Sequence, residues 1–181
     1  EIMLVDWETG SSPDEEMALD DAMLGLKQRL GITPFRLVSG RLRIQPSLET
    51  FREDFYQTLA VSSWAQGGEL IYAAPIEDEA LADSLRRLSA NYGIGVTSFG
   101  LTPEALDDLP RPANIFNAHP RETEAIMAKL EVNRIAAPKL RNHLEWMELA
   151  SLRNESPEAD KLVQWLKRCI DERRAEPFKD E

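Results

Sequence analysis

The sequence predicts an α/β domain: a mixed sheet flanked by helices, followed by a helical C-terminal segment. Three observations predict it. Between residues 41 and 99, stretches with strand and helix signatures alternate, strand–helix–strand–helix–strand, which calls for some parallel pairing. The run ELIYAA at 69–74 is short and nearly continuously apolar, as in strands buried on both faces. Beyond residue 100 the strand signatures stop and helical spacing takes over. The expected division is a core over 1–101 and a helical extension over 102–181, packed on the core because its apolar stripes need a surface.

In chain order, residues 2–7 read as a short strand. Ser12-Pro13-Asp14-Glu15-Glu16 is a helix start, with Ser as cap, Pro in the first turn and acids near the positive end of the dipole. That helix is expected to end at Gly31. Phe35-Arg36-Leu37-Val38, then Ser39-Gly40, then 41–45 fit a hairpin with a tight turn. Leu48, Phe51, Phe55 and Leu59 share one face of the helix that follows. Gly67-Gly68 reads as a turn before the strand at 69–74. A helix over 77–92 carries Leu81, Leu85 and Leu88 on its stripe and closes on Gly93. A strand follows at 94–99, then one helical turn at 103–108. Three further helices are expected over 120–131, 138–153 and 157–173, the last capped by Ser156-Pro157-Glu158.

The 181 residues suffice for one domain of ordinary size, and at 43% apolar they supply a normal core. No apolar run reaches the ~20 residues that span a bilayer, so no membrane is expected. The chain opens at Glu1 inside a strand pattern, so further chain, such as an N-terminal domain, is expected upstream. A single cysteine, Cys169, excludes an internal disulfide, falls on an apolar helix face and points to the cytoplasm. With 21 basic and 32 acidic residues, the net charge is −11, which argues against binding nucleic acid through a generally basic surface.

Several chemistries have no motif here. Gly93-Ile94-Gly95 runs from helix to strand, the reverse of a dinucleotide fingerprint. No G-x-S-x-G elbow is present. His119 and His143 lack a partner at metal-ligand spacing. The acid pairs, such as Asp107-Asp108, sit at helix ends and in loops. What remains is GRLRIQPSLETFREDFYQ at 40–57. Arg41 and Arg43 alternate with Leu42 and Ile44, which puts both guanidinium groups on one strand face. Neither is a general base, but two guanidinium groups in a cleft suit phosphate or carboxylate. Ser62-Ser63-Trp64 ends the helix, and an exposed Trp there is a surface on which a base stacks, while a buried one closes the helix.

The runs RLRIQPSLETFREDFYQTLAVSSWAQGGELIYAAP and LADSLRRLSANYGIGV resemble restriction-endonuclease-like proteins of the HrgA type. The matching motifs are Phe55-Tyr56-Gln57, Ser62-Ser63-Trp64-Ala65 and Gly93-Ile94-Gly95-Val96, and the likeness runs over roughly 40–173. It implies a PD-(D/E)xK core, in which an acid on one strand and E-x-K on the next bind a metal. At the E-x-K positions this chain has Arg41 and Arg43, and Val61 replaces the asparagine before S-S-W. The earlier acid would fall at Glu1 or Asp6. Carboxylates are needed to hold magnesium or manganese, and arginine repels the metal. The expectation is therefore a catalytically inactive nuclease-like domain of a bacterial defence or DNA-processing system, with no cofactor. It would hold DNA, RNA or a protein partner through Arg41, Arg43, Gln57, Ser62, Ser63 and Trp64. Two alternatives stand beside it: an acidic protein–protein module without nucleic-acid affinity, and an active magnesium- or manganese-dependent nuclease whose acids come from Asp6, Glu8 or elsewhere.

Overall fold

The computed structural model describes residues 2–7, 29, 35–111, 114 and 118–172. The helix expected over 12–31, Arg29 apart, lies outside them, as do Glu1 and Glu8. In order, the elements are β1 (Ile2–Trp7), β2 (Phe35–Arg43), α1 (Phe51–Val61), β3 (Gly67–Tyr72), α2 (Glu79–Tyr92), β4 (Gly95–Ser98), α3 (Pro103–Asp107), α4 (Pro120–Met127), β5 (Asn133–Ala136), α5 (Trp146–Glu155) and α6 (Pro157–Glu172). The five strands form one sheet in sequential order. β2, β3 and β4 are parallel, and β1 and β5 run antiparallel at the two edges. This is an α/β mixed sheet flanked by helices, as the alternation of patterns predicts.

Two successive crossovers step in the same direction across the sheet, so a common hand puts α1 and α2 on the same face. Phe51 and Phe55 of α1, Leu81 and Leu85 of α2, and Leu70, Tyr72, Ile94 and Val96 from the strands and their approach form one core. Asp78 caps α2 by accepting from the Ala80 and Leu81 amides at 2.8 and 3.2 Å. Gly93 ends it in the left-handed region at φ 78°. A second core joins Leu37, Trp64 and Ala65 to Leu144, Leu149, Leu162, Trp165, Leu166 and Cys169. It seats the paired helices α5 and α6 at the end of the sheet where α1 finishes, and Cys169 is fully buried in it.

Four expectations need correction. Ser39-Gly40 is no hairpin turn: β2 passes straight through it, because both residues pair with β1 on one side and β3 on the other. Gly67-Gly68 is no turn either but the start of β3. A Cβ on Gly68 would lie 2.2 Å from Ser62 Oγ, so the glycine is there for close packing of α1's end on the strand. Strands do not stop at residue 100, since β5 adds a fifth. Finally, 138–145 is an extended strap rather than helix. The amides of Lys139, Arg141 and Glu145 donate to the carbonyls of Gly93, Gln66 and Trp64 at 2.7–3.0 Å.

Candidate functional site

Among the described residues β1 pairs with β2 over residues 35–40. The last three residues of β2, Arg41-Leu42-Arg43, run along β3, opposite Leu70, Ile71 and Tyr72. Leu70 and Tyr72 belong to the face that α1 and α2 cover. Registered neighbours in a parallel pair share a face, so the two arginines point to the helix side. The outward face is the aliphatic one: Leu42 is 46% exposed and Ile44 65%. Both arginines do lie on one face, and that face is the half-covered one at the carboxyl ends of the parallel strands, where open α/β sheets place their ligands.

The two arginines differ sharply. Arg43 Nε meets Asp54 Oδ1 at 2.7 Å, and the Asp54 carboxylate is nearly inaccessible to water. Asp54 sits in the first turn of α1, where the helix dipole favours a carboxylate, and Thr50 Oγ1 donates to its other oxygen at 3.4 Å. Arg43 is thus the counter-ion of a buried acid. Arg41 is half-buried, and its Nε is shielded from solvent without a hydrogen-bond partner among the described residues.

Tyr72, opposite Arg43, is fully buried and its hydroxyl also has no partner among the described residues. Burial pushes the phenol well above the ordinary tyrosine range, the Asp54 charge adds to this, and Arg43 opposes it. The folded protein keeps that proton while the unfolded chain loses it near pH 10, so this group removes stability as pH rises past about 10. Tyr72→Phe is expected to leave stability at pH 7 unchanged or raised by up to ~1 kcal/mol, because an unpaired buried hydroxyl is deleted. It should also flatten the alkaline loss. Denaturant midpoints at pH 7 and in the alkaline range check both, and a large loss at pH 7 would show that the hydroxyl has a partner.

The other expected site residues scatter. Gln57 Nε2 donates to Glu53 one turn earlier, at 2.9 Å. Ser62 is buried under Gly68, and Ser63 is exposed. Both lie at the far end of α1 from Arg43, about 16 Å for 11 residues of helix. Trp64 is only 3% exposed and belongs to the second core, so it offers no face for a base. Asp6 stands opposite Arg36, five residues along β2 from Arg41 or about 17 Å. The sheet therefore does not bring Asp6 to the two arginines. His119 caps α4 by accepting from the Arg121 amide at 3.4 Å, and His143 lies 3.4 Å from Glu145. Among the described residues no three His, Cys, Asp or Glu side chains converge as a metal site would require.

Besides Asp54, a second buried acid escaped the sequence reading. Glu69, in the middle of β3, is 4% exposed and accepts from Thr97 Oγ1 at 2.5 Å on the sheet face opposite α1 and α2. The signal was a carboxylate opening an otherwise apolar strand. No protein-family model matches the chain, and no curated protein or solved structure matches it. Fold and site together define an α/β mixed-sheet domain with a guanidinium pair at the carboxyl edge of its parallel strands.

Proposed function

We propose that this domain is a non-cleaving, restriction-endonuclease-like module that binds nucleic acid through its backbone phosphates at the carboxyl edge of β2. The observation that carries the reading is Arg41: a half-buried guanidinium whose Nε is shielded and has no partner among the described residues. A buried donor left unpaired is costly, and a phosphate oxygen satisfies it with a charge-assisted bond. The resemblance supports the same assignment, since Arg41 and Arg43 occupy the E-x-K positions. There Arg43, neutralised by Asp54, holds the strand end in place and leaves Arg41 as the group that meets the ligand. With a net charge of −11, contact is confined to this edge, and binding is weak and salt-sensitive.

Short labelled DNA and RNA, single- and double-stranded, test this at low salt with and without magnesium or manganese. The expected result is binding without cutting, weakened about tenfold by Arg41→Ala and by added salt. Metal-dependent cutting would overturn the non-cleaving assignment. Absence of any binding would leave the acidic protein–protein module as the better account.

A further inference from the structure

The amino ends of the same parallel strands are hollow. A cavity of about 450 Å³ opens at the start of β3 and just before β4, between the last turns of α1 and α2 and the strap that follows β5. That volume lies within the range of small-molecule sites. Among the described residues its walls have one sign of charge: Lys139 and Arg141 line it and no Asp or Glu does, in a chain with 32 acids and 21 bases.

Both cations are held in place by the protein itself. Lys139 Nζ donates to the Ala90 carbonyl at the end of α2, at 2.8 Å. The Arg141 guanidinium donates to the carbonyls of Ser63 and Ala65 and to Glu145. An ammonium carries three donors and a guanidinium five, so each keeps donors for a ligand. The side chains of Ser63 and Asn91 line the same cavity, exposed and without a partner among the described residues. Tyr92 forms part of the wall, 47% exposed, and Tyr56 braces its ring edge-on at 5.6 Å between centroids.

A pair of fixed cations beside a braced, exposed aromatic ring is suited to an anion joined to a planar group. We propose that this cavity binds a nucleoside monophosphate. The phosphate lies between Lys139 and Arg141 with the Ser63 hydroxyl donating to it. The base lies on the Tyr92 ring with the Asn91 amide at its edge. The site is separate from Arg41, at the other end of α1, and does not depend on what the carboxyl edge binds.

The test titrates the full chain with AMP, adenosine and inorganic phosphate, followed by calorimetry and by the amide resonances of Gly67, Gly68 and Gly93. AMP is expected to move these three resonances and to bind at least about tenfold more tightly than adenosine or phosphate alone. Lys139→Gln, at an exposed position that leaves the core intact, is expected to weaken AMP about tenfold. Tyr92→Leu is expected to weaken AMP and leave the phosphate-induced shifts of these three amides unchanged. A 5′-phosphorylated trinucleotide run alongside separates a free nucleotide from a strand terminus, the tighter of the two being the source of the phosphate. No shift of these amides at about 10 mM AMP, or equal AMP affinity in Lys139→Gln, would overturn the proposal.

Discussion

Replacing Trp64 by alanine is expected to cost about 3–5 kcal/mol, the range for truncating a large buried aromatic side chain. In a chain of this size that lowers the unfolding midpoint by roughly 10 °C. The magnitude follows from position. Trp64 is 3% exposed and joins Leu37 of β2 to Leu149 of α5 and to Leu162, Trp165 and Leu166 of α6. Removing the indole empties the contact between the sheet and the C-terminal helices. The helices should therefore lose protection first: proteolysis should reach α5 and α6 before it reaches β3. Trp146 is the control. It is 59% exposed, and Trp146→Ala is expected to shift stability by no more than about 0.5 kcal/mol. Equal costs for the two variants would refute the assignment of Trp64 to the core.

The fold was legible where local pattern and tertiary demand agree. The amphipathic spacing of Phe51, Phe55 and Leu59, the Gly93 cap and the apolar run of β3 each carry their own signal. The misses are residues whose conformation is set from far along the chain. Ser39-Gly40 has turn chemistry, but it is flanked by β1 and β3, whose backbones hold it extended. β5 is four residues long with Asn133 and Arg134 exposed, so neither alternation nor apolarity marks it. The strap at 138–145 takes its shape from carbonyls of Gly93, Gln66 and Trp64, some 45 to 80 residues upstream. At the site, strand alternation did put Arg41 and Arg43 on one face, but their difference depends on Asp54. A signal for Asp54 existed: it falls between Phe51, Phe55 and Thr58 on the buried stripe of α1, where an acid requires a counter-ion. Which arginine supplies it is a matter of three-dimensional reach.

That counter-ion pair makes an asymmetric prediction. Asp54 is almost wholly shielded, whereas the Arg43 side chain is 43% exposed. Removing the arginine strands a desolvated carboxylate, while removing the acid frees a guanidinium that can turn into water. Arg43→Met is therefore expected to cost about 2–4 kcal/mol, at or below the usual range for breaking a buried pair because Arg43 keeps some solvent. Asp54→Asn, which keeps the side-chain shape and an oxygen for Thr50, is expected to cost about 1 kcal/mol. The double variant should be less harmful than Arg43→Met alone, since no buried charge remains. Urea midpoints for the four proteins of this cycle give the coupling directly. Nucleic-acid affinity should move the other way. Asp54→Asn releases Arg43 beside Arg41 and should strengthen phosphate binding severalfold, because a second guanidinium becomes available. If Asp54→Asn proved costlier than Arg43→Met, the acid would be serving the fold by something other than this pair. If it left binding unchanged while Arg41→Ala abolished it, Arg43 would have no part in the contact even when free.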